Sequence, residues 1–304
     1  MILANGFFLG RKDMKNIGGQ AVIEGVMMKG GKGWTVAVRS PDGEIHVKRE
    51  PLSEMPAIFK LPIIRGFIAL FSAMFIGVKA IEFSAGKAYE GEGEDLSPTA
   101  MAFTIILSIL ISIGLFILLP LYATKLLGSI FPSVSHSSFM FNLVDGVIRV
   151  FLFIFYIVSI GMWKEMRRIF EYHGAEHKVI HAYENGKDLT VQNIKTHSPL
   201  HPRCGTSFLL IVMIISIFTF SFIPQGWSFV YKFLSRLVLI PLIAGLSYEF
   251  LKLSAKMKHN ALMHLLIQPG LVLQRLTTRE PDEAQIEVAV KALEEVLAME
   301  NAHV

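Results

Sequence analysis

Hydrophobic positions along this chain follow two patterns. Through its middle they form long apolar runs with few charges, and towards both ends they alternate or recur at helical spacing among charged residues. A helix needs about 17–25 apolar residues to cross a hydrocarbon core of about 30 Å. Residues 99–119, 142–163, 207–223 and 233–253 satisfy this and predict four transmembrane helices. Ser97-Pro98 supplies a side-chain cap and a first-turn proline for the first of them. Residues 121–140 then read as a loop, and Asp145 and Arg149, one turn apart, can pair inside the second helix. A fifth run, 61–83, is broken by Arg65 and Lys79 with only thirteen uncharged residues between them. That is short for a span and predicts an interfacial or re-entrant helix.

The flanking regions read differently. Residues 18–52 alternate as strands, with a hairpin of 34–38 against 44–48 turning at Asp42-Gly43. Glu24, flanked by glycine, is either a carboxylate brought close to a site or a turn or edge residue. After the last crossing, the stretch to Leu276 is amphipathic and interrupted at Gln268-Pro269-Gly270, as in a segment lying on a membrane surface. From Pro281 to Met299, Ile286, Ala289, Val290, Leu293, Val296 and Leu297 repeat at helical spacing, with Asp282 and Glu283 at the N-terminal end. The expected organisation is a mainly α, polytopic helical membrane protein. It has a β module over 1–60, a membrane domain over 61–276 with a His-rich loop at 164–206, and a soluble helix over 277–304.

Composition agrees with this. Just over half of the 304 residues are hydrophobic (52%), and the mean hydropathy is +0.50. The net charge of +4 is spread along the chain and gives no nucleic-acid footprint. The Lys and Arg in 164–206 place that loop in the cytosol by the positive-inside rule, and both termini with it. Lys232 and Arg236 at the outer end of the last helix weaken that asymmetry, while Lys252, Lys256 and Lys258 at its inner end restore it. The short run Phe7-Phe8-Leu9 precedes the basic residues and is too short for a secretory signal, so insertion falls to the internal segments. An acidic, glycine-rich linker, 90–95, separates 61–83 from the first span. The single cysteine, Cys204, excludes an internal disulfide and suits a thiol kept reduced or given to a metal.

Candidate chemistry gathers in one place. Of ten histidines, five (His173, His177, His181, His197 and His201) fall within a short span that ends just before Cys204. In His173-Gly174-Ala175-Glu176-His177 the two histidines stand one helical turn apart on one face, able to share a metal ion. This is the inverted zincin arrangement, in which the intervening carboxylate, Glu176, takes a proton from water on the metal. Zinc or another divalent transition metal fits imidazole and thiolate donors, and His201 or Cys204 are candidates to complete the set. His181 and His197 are alternative ligands or supporting groups, although Pro199 and Pro202 make a regular helix between His197 and His201 unexpected. Cys204 reads equally as a ligand or a small packed residue, and more weakly as a nucleophile. Arg203 reads as an anion-orienting group or a headgroup anchor. Glu249, a carboxylate in an apolar helix, reads as a functional group at the same membrane face or as the partner of Lys252.

Five stretches carry a resemblance: residues 19–28 (GQAVIEGVMM), 172–178 (YHGAEHK), 201–207 (HPRCGTS), 247–249 (SYE) and 269–281 (PGLVLQRLTTREP). Together they resemble the YqhQ-like family of bacterial membrane proteins, a family of unknown function described as predicted metal-dependent enzymes. The resemblance implies a bacterial inner-membrane setting and supplies no substrate. Two functions are therefore expected. One is a metal-dependent hydrolase at the cytosolic membrane face, acting on a substrate that partitions into the lipid bilayer. The other is a non-catalytic scaffold or assembly factor in which a metal staples the 164–206 loop. A metal-ion carrier ranks below both, because the middles of 99–119 and 207–223 offer no ionisable group and no inverted repeat is visible.

Overall fold

The computed structural model describes residues 15–53, 56–89, 98–201, 204–256 and 261–302. Four strands, β1 (Gly18–Val22), β2 (Gly25–Lys29), β3 (Gly33–Arg39) and β4 (Ile45–Pro51), form an antiparallel meander in sequence order. The helices are α1 (Ile64–Ala88), α2 (Pro98–Ile113), α3 (Leu119–Ile130), α4 (Pro132–Ser135), α5 (Ser138–Ile160), α6 (Lys164–Glu184), α7 (Val191–Lys195), α8 (Gly205–Ser221), α9 (Phe229–Lys256), α10 (Ala261–Thr277) and α11 (Glu283–Asn301). Phe7-Phe8-Leu9, the 90–95 linker, Ser97, Lys258 and Arg203 lie outside the described residues.

Alternation along the strands builds a three-layer unit. Val26, Met28 and Ala37 point to one face and pack with Tyr172, Val179 and Ile180 of α6 and with Ile286, Ala289, Leu293 and Val296 of α11. Met27, Trp34, Val36 and Val38 point to the other and pack with Ile76 and Ala80 of α1. The register Val26↔Ala37 and Met27↔Val36 keeps the two sets apart across the β2–β3 pair. The predicted hairpin is β3–β4, with Gly43 in the left-handed region at φ +90°. The chain's two ends thus share one core with the histidine helix. Asp282 caps α11 in a capping box with Gln285, which defines its start.

Among the described residues, four helices are long and apolar enough to cross a membrane: Ile64–Ala88, Thr99–Ile130, Ser138–Ile160 and Phe229–Ser254, while Gly205–Ser221 is shorter. Two expectations need correction. Residues 121–130 are helical rather than loop. The widened π turn Gly114–Leu118 just before Pro120 accommodates the proline's missing N–H and carries the helix onward. Likewise, α10 runs unbroken through Pro269, because tertiary contacts hold it: Gly270 sits so close to α8 that a methyl there would lie 2.7 Å from Ser207 Oγ. The 61–83 run becomes the 25-residue α1, long and apolar enough to cross rather than the short interfacial or re-entrant segment expected. Its second half is buried against the sheet and its first turn against α9, where a methyl on Gly66 would meet Tyr248 Cβ at 2.6 Å.

Candidate metal centre

Helix α6 leaves the apolar α5 and buries a continuous face that includes Tyr172, Gly174, Ala175, Glu176 and His177. Its end is set by Gly186 at φ +62°, with Lys187 N–H donating to the Ala182 carbonyl at 3.0 Å. Gly174 has a steric role. The segment joining α10 to α11 crosses α6 there, so that a methyl on Gly174 would lie 1.9 Å from the Arg279 carbonyl oxygen. Arg279 N–H donates to the Phe170 carbonyl at 2.9 Å and fixes that crossing. The crossing carries the Thr277 carbonyl to His173.

His173, His177 and Cys204 offer ligand atoms that all lie within 4.8 Å of one another. His173 Nδ1–H donates to the Thr277 carbonyl at 2.8 Å, and His177 Nδ1–H donates to the Pro199 carbonyl at 2.5 Å. Because a carbonyl only accepts, each ring carries a proton on Nδ1, which leaves Nε2 as the atom with which the neutral ring can ligate. His173 Nε2 lies 3.2 Å from Cys204 Sγ, and the two rings meet edge-on at 4.4 Å between centroids. Carbonyl-held imidazoles turning a bare nitrogen towards a shared thiol are what a metal site requires of its supporting shell. Cys204 is the N-cap residue of α8, which places the sulfur at the start of that helix beside the two imidazoles.

Glu176 completes the centre. Its Oε2 lies 3.4 Å from His177 Nε2, and the residue is 4% exposed. The backbone of Gly19 hydrogen-bonds the carboxyl, and no other residue fits at that position, since a methyl would lie 2.6 Å from Glu176 Cγ and 2.9 Å from the Met27 carbonyl. Burial pushes the Glu176 carboxyl above the usual carboxylate range, against the opposing pull of His173 and His201. Burial also pushes His177 below the ordinary imidazole range. Both groups shift towards neutrality, so the short Glu176–His177 contact does not rest on a protonated imidazolium.

The remaining candidates divide. His201 is buried, its ring 5.7 Å from that of His177 and 4.6 Å from that of His181, with Nε2 3.5 Å from Glu184 Oε2. Its backbone is held by Gln274, which accepts from His201 N–H at 2.8 Å and donates to the His201 carbonyl at 2.8 Å. His181 Nε2–H donates to the Leu200 carbonyl at 2.8 Å, and burial lowers its pKa to about 4. His197 Nδ1–H donates to the Asn193 carbonyl at 2.9 Å and its ring stacks on His181 at 6.5 Å. Glu24 is the turn residue between β1 and β2 at φ +50°. It receives Arg168 in a two-point contact and the Tyr172 hydroxyl at 3.2 Å, clamping α6 to the sheet rather than joining the three clustered ligands. Glu249 accepts from Arg65 Nε at 2.6 Å and from the Ile63 backbone at 3.4 Å, pinning α1 to α9. Gly19, Gln274 and Thr277 support the site from positions that sequence chemistry did not mark: a glycine, an amide and a backbone carbonyl show no reactive side chain.

Residues 61–299 match the family described as "Protein of unknown function (DUF1385)". The chain is also 34% identical over 299 residues to "Uncharacterized protein YqhQ" of Bacillus subtilis (strain 168), covering 93% of this chain and 92% of that protein. No solved structure matches. With alignment over nearly its whole length, the chain belongs to the DUF1385, YqhQ-like family.

Proposed function

We propose that this protein is a metal-dependent hydrolase working at the cytosolic face of the bacterial cytoplasmic membrane, with both termini in the cytosol. The observation that carries this reading is the pair of imidazoles whose Nδ1 protons are engaged by carbonyls and whose Nε2 lone pairs converge with Cys204. Three protein donors of the His–His–Cys type suit zinc or a similar divalent ion and leave a position for water. When bound, such an ion supplies Lewis-acid polarisation. The chain's own part is done by Glu176. Held against Gly19 and buried, its carboxyl has a raised proton affinity, which suits a group that accepts a proton from water and returns it to a leaving group. Because Cys204 begins an apolar helix, a substrate partitioning into the lipid bilayer reaches this position without leaving the interface.

Elemental mass spectrometry of detergent-purified protein tests the reading. About one metal per chain is expected in the natural sequence and none in the His173→Ala/His177→Ala variant. Glu176→Gln should then retain the metal while losing function in a complementation assay.

A second reading, a structural metal in a scaffold protein, is favoured by the nearness of His201, which stands beside His177 as a candidate fourth ligand. X-ray absorption distinguishes the two: four protein donors with tolerance of Glu176→Gln support the scaffold, and three donors plus an oxygen support the hydrolase.

A further inference from the structure

The end of the helical bundle remote from the histidines carries a second polar cluster. Helix α5 runs into the histidine helix and α8 starts at Cys204, so the start of α5, the end of α8 and the start of α9 meet at the far face. There Asp145 accepts from Arg149 at 2.6 Å through one oxygen and from Arg236 at 2.7 Å through the other. Arg149 also donates to Ser216 Oγ at 2.9 Å, and Arg236 to Asn142 Oδ1 at 2.9 Å. Asp145 and Arg236 each lie seven residues into their helices, about 10 Å from the ends, among apolar neighbours.

The charges in this cluster do not balance. One carboxylate faces two guanidiniums, and the Nε–H of both Arg149 and Arg236 is buried without a hydrogen-bond partner. Lys232, one turn before Arg236, stands 4.6 Å over the Phe141 ring and 3.4 Å from Gln225 Oε1, and Arg236 repels both it and Arg149. The imbalance is a property of the whole region: Asp145 is the only carboxylate between Leu96 and Lys164, and there is none between Leu189 and Tyr248. Buried cations without counter-charge are costly in apolar surroundings, and bare guanidinium N–H groups beside a lysine match the donor geometry of an oxyanion.

We propose that the far ends of α5, α8 and α9 bind a phosphate-class oxyanion between Lys232 and the Asp145-bridged guanidiniums of Arg149 and Arg236. Half-buried Lys232 and the 9% exposed Arg149 are the reachable contacts, while the enclosed Arg236 contributes charge from behind. The same chemistry is offered by free phosphate and by a phospholipid headgroup.

The full chain, purified in detergent without phosphate and stripped of lipid, is melted against rising inorganic phosphate at constant ionic strength. In parallel, native mass spectrometry follows retention of added phosphatidylglycerol. Lys232→Gln should weaken binding about tenfold, as befits one lost charge-assisted contact. Ser216→Asp places a carboxylate beside Arg149, so its melting temperature without phosphate should rise while the response to either probe disappears. A saturable phosphate shift weakened in Lys232→Gln and lost in Ser216→Asp supports the site with a free ion as occupant. Retention of phosphatidylglycerol, weakened in Lys232→Gln, lost in Ser216→Asp and without a phosphate response, supports it with a headgroup as occupant. No saturable response to either probe, or one that both variants keep, overturns the proposal.

Discussion

At the histidine site, two imidazoles hand their Nδ1 protons to backbone carbonyls and turn bare nitrogens on a thiol. At the far end of the bundle, two guanidiniums share one carboxylate and keep two N–H groups bare. Both clusters are buried and both tie helices together, yet one is rich in lone pairs and the other in donors. The two call for opposite partners: converging lone pairs suit a cation, and an excess of guanidinium donors suits an anion. Their separation along α8 means that variants at one should leave the other's occupant unchanged.

The largest effect is expected at Asp145. Asp145→Asn leaves two guanidiniums facing each other across a neutral amide, and removal of one partner from a buried ionic group costs about 3–5 kcal/mol. A marked drop in melting temperature in detergent, with metal stoichiometry preserved in the protein that remains folded, would confirm that the two clusters are independent. A variant as stable as the natural chain would show that Asp145 carries no such load. Next comes Gly174→Ala, whose methyl meets a backbone oxygen at 1.9 Å and has no flexible neighbour to displace. Overpacking of this kind costs about 1–3 kcal/mol or more. It should also move the Thr277 carbonyl off His173, so metal retention falls together with stability. Gln274→Ala removes the amide that bridges His201 and Ser207 and should cost about 1–3 kcal/mol, the range for leaving buried polar groups unpaired. Its readout is hydrogen exchange at the start of α8.

The sequence marked these regions unequally for physical reasons. Helical periodicity and the His173–Glu176–His177 spacing announce a one-sided cluster directly, because residues one turn apart must share a face. The alternation of 34–38 and 44–48 likewise discloses a hairpin. What the pattern could not disclose is which distant backbone would come to meet the histidines: the Thr277 carbonyl reaches His173 only because Gly174 lets another segment cross, and Glu176 is admitted only because Gly19 has no side chain. Local reading also ended one helix at 119, just before Pro120, and broke another segment at Pro269. In both cases the helix continues, through a π turn in one and under contact with Ser207 in the other. The pairing of Asp145 with Arg149 was visible at four-residue spacing, while the second guanidinium, Arg236, arrives from a helix some ninety positions away.

The smallest effect concerns Glu249, whose place near the site-side end of α9 invites confusion with the metal centre. It is bound by Arg65 at two points and by the Ile63 backbone, and the two side chains are 29% and 26% exposed. A pair this open contributes little to stability. Glu249→Gln keeps an oxygen for the Ile63 N–H and one contact for Arg65, so its melting temperature should fall by a degree or two at most. Bound metal should stay at the natural level. The same measurement on Cys204→Ser should show a loss of metal with little loss of stability, because a hydroxyl replaces the thiol as the α8 cap but is a poorer ligand for zinc. If Glu249→Gln instead lost the metal and Cys204→Ser kept it, the donor set would have to be rebuilt around the α1–α9 contact. That outcome would also remove the contrast with the far face, since a carboxylate held by an arginine would then be at the heart of both clusters.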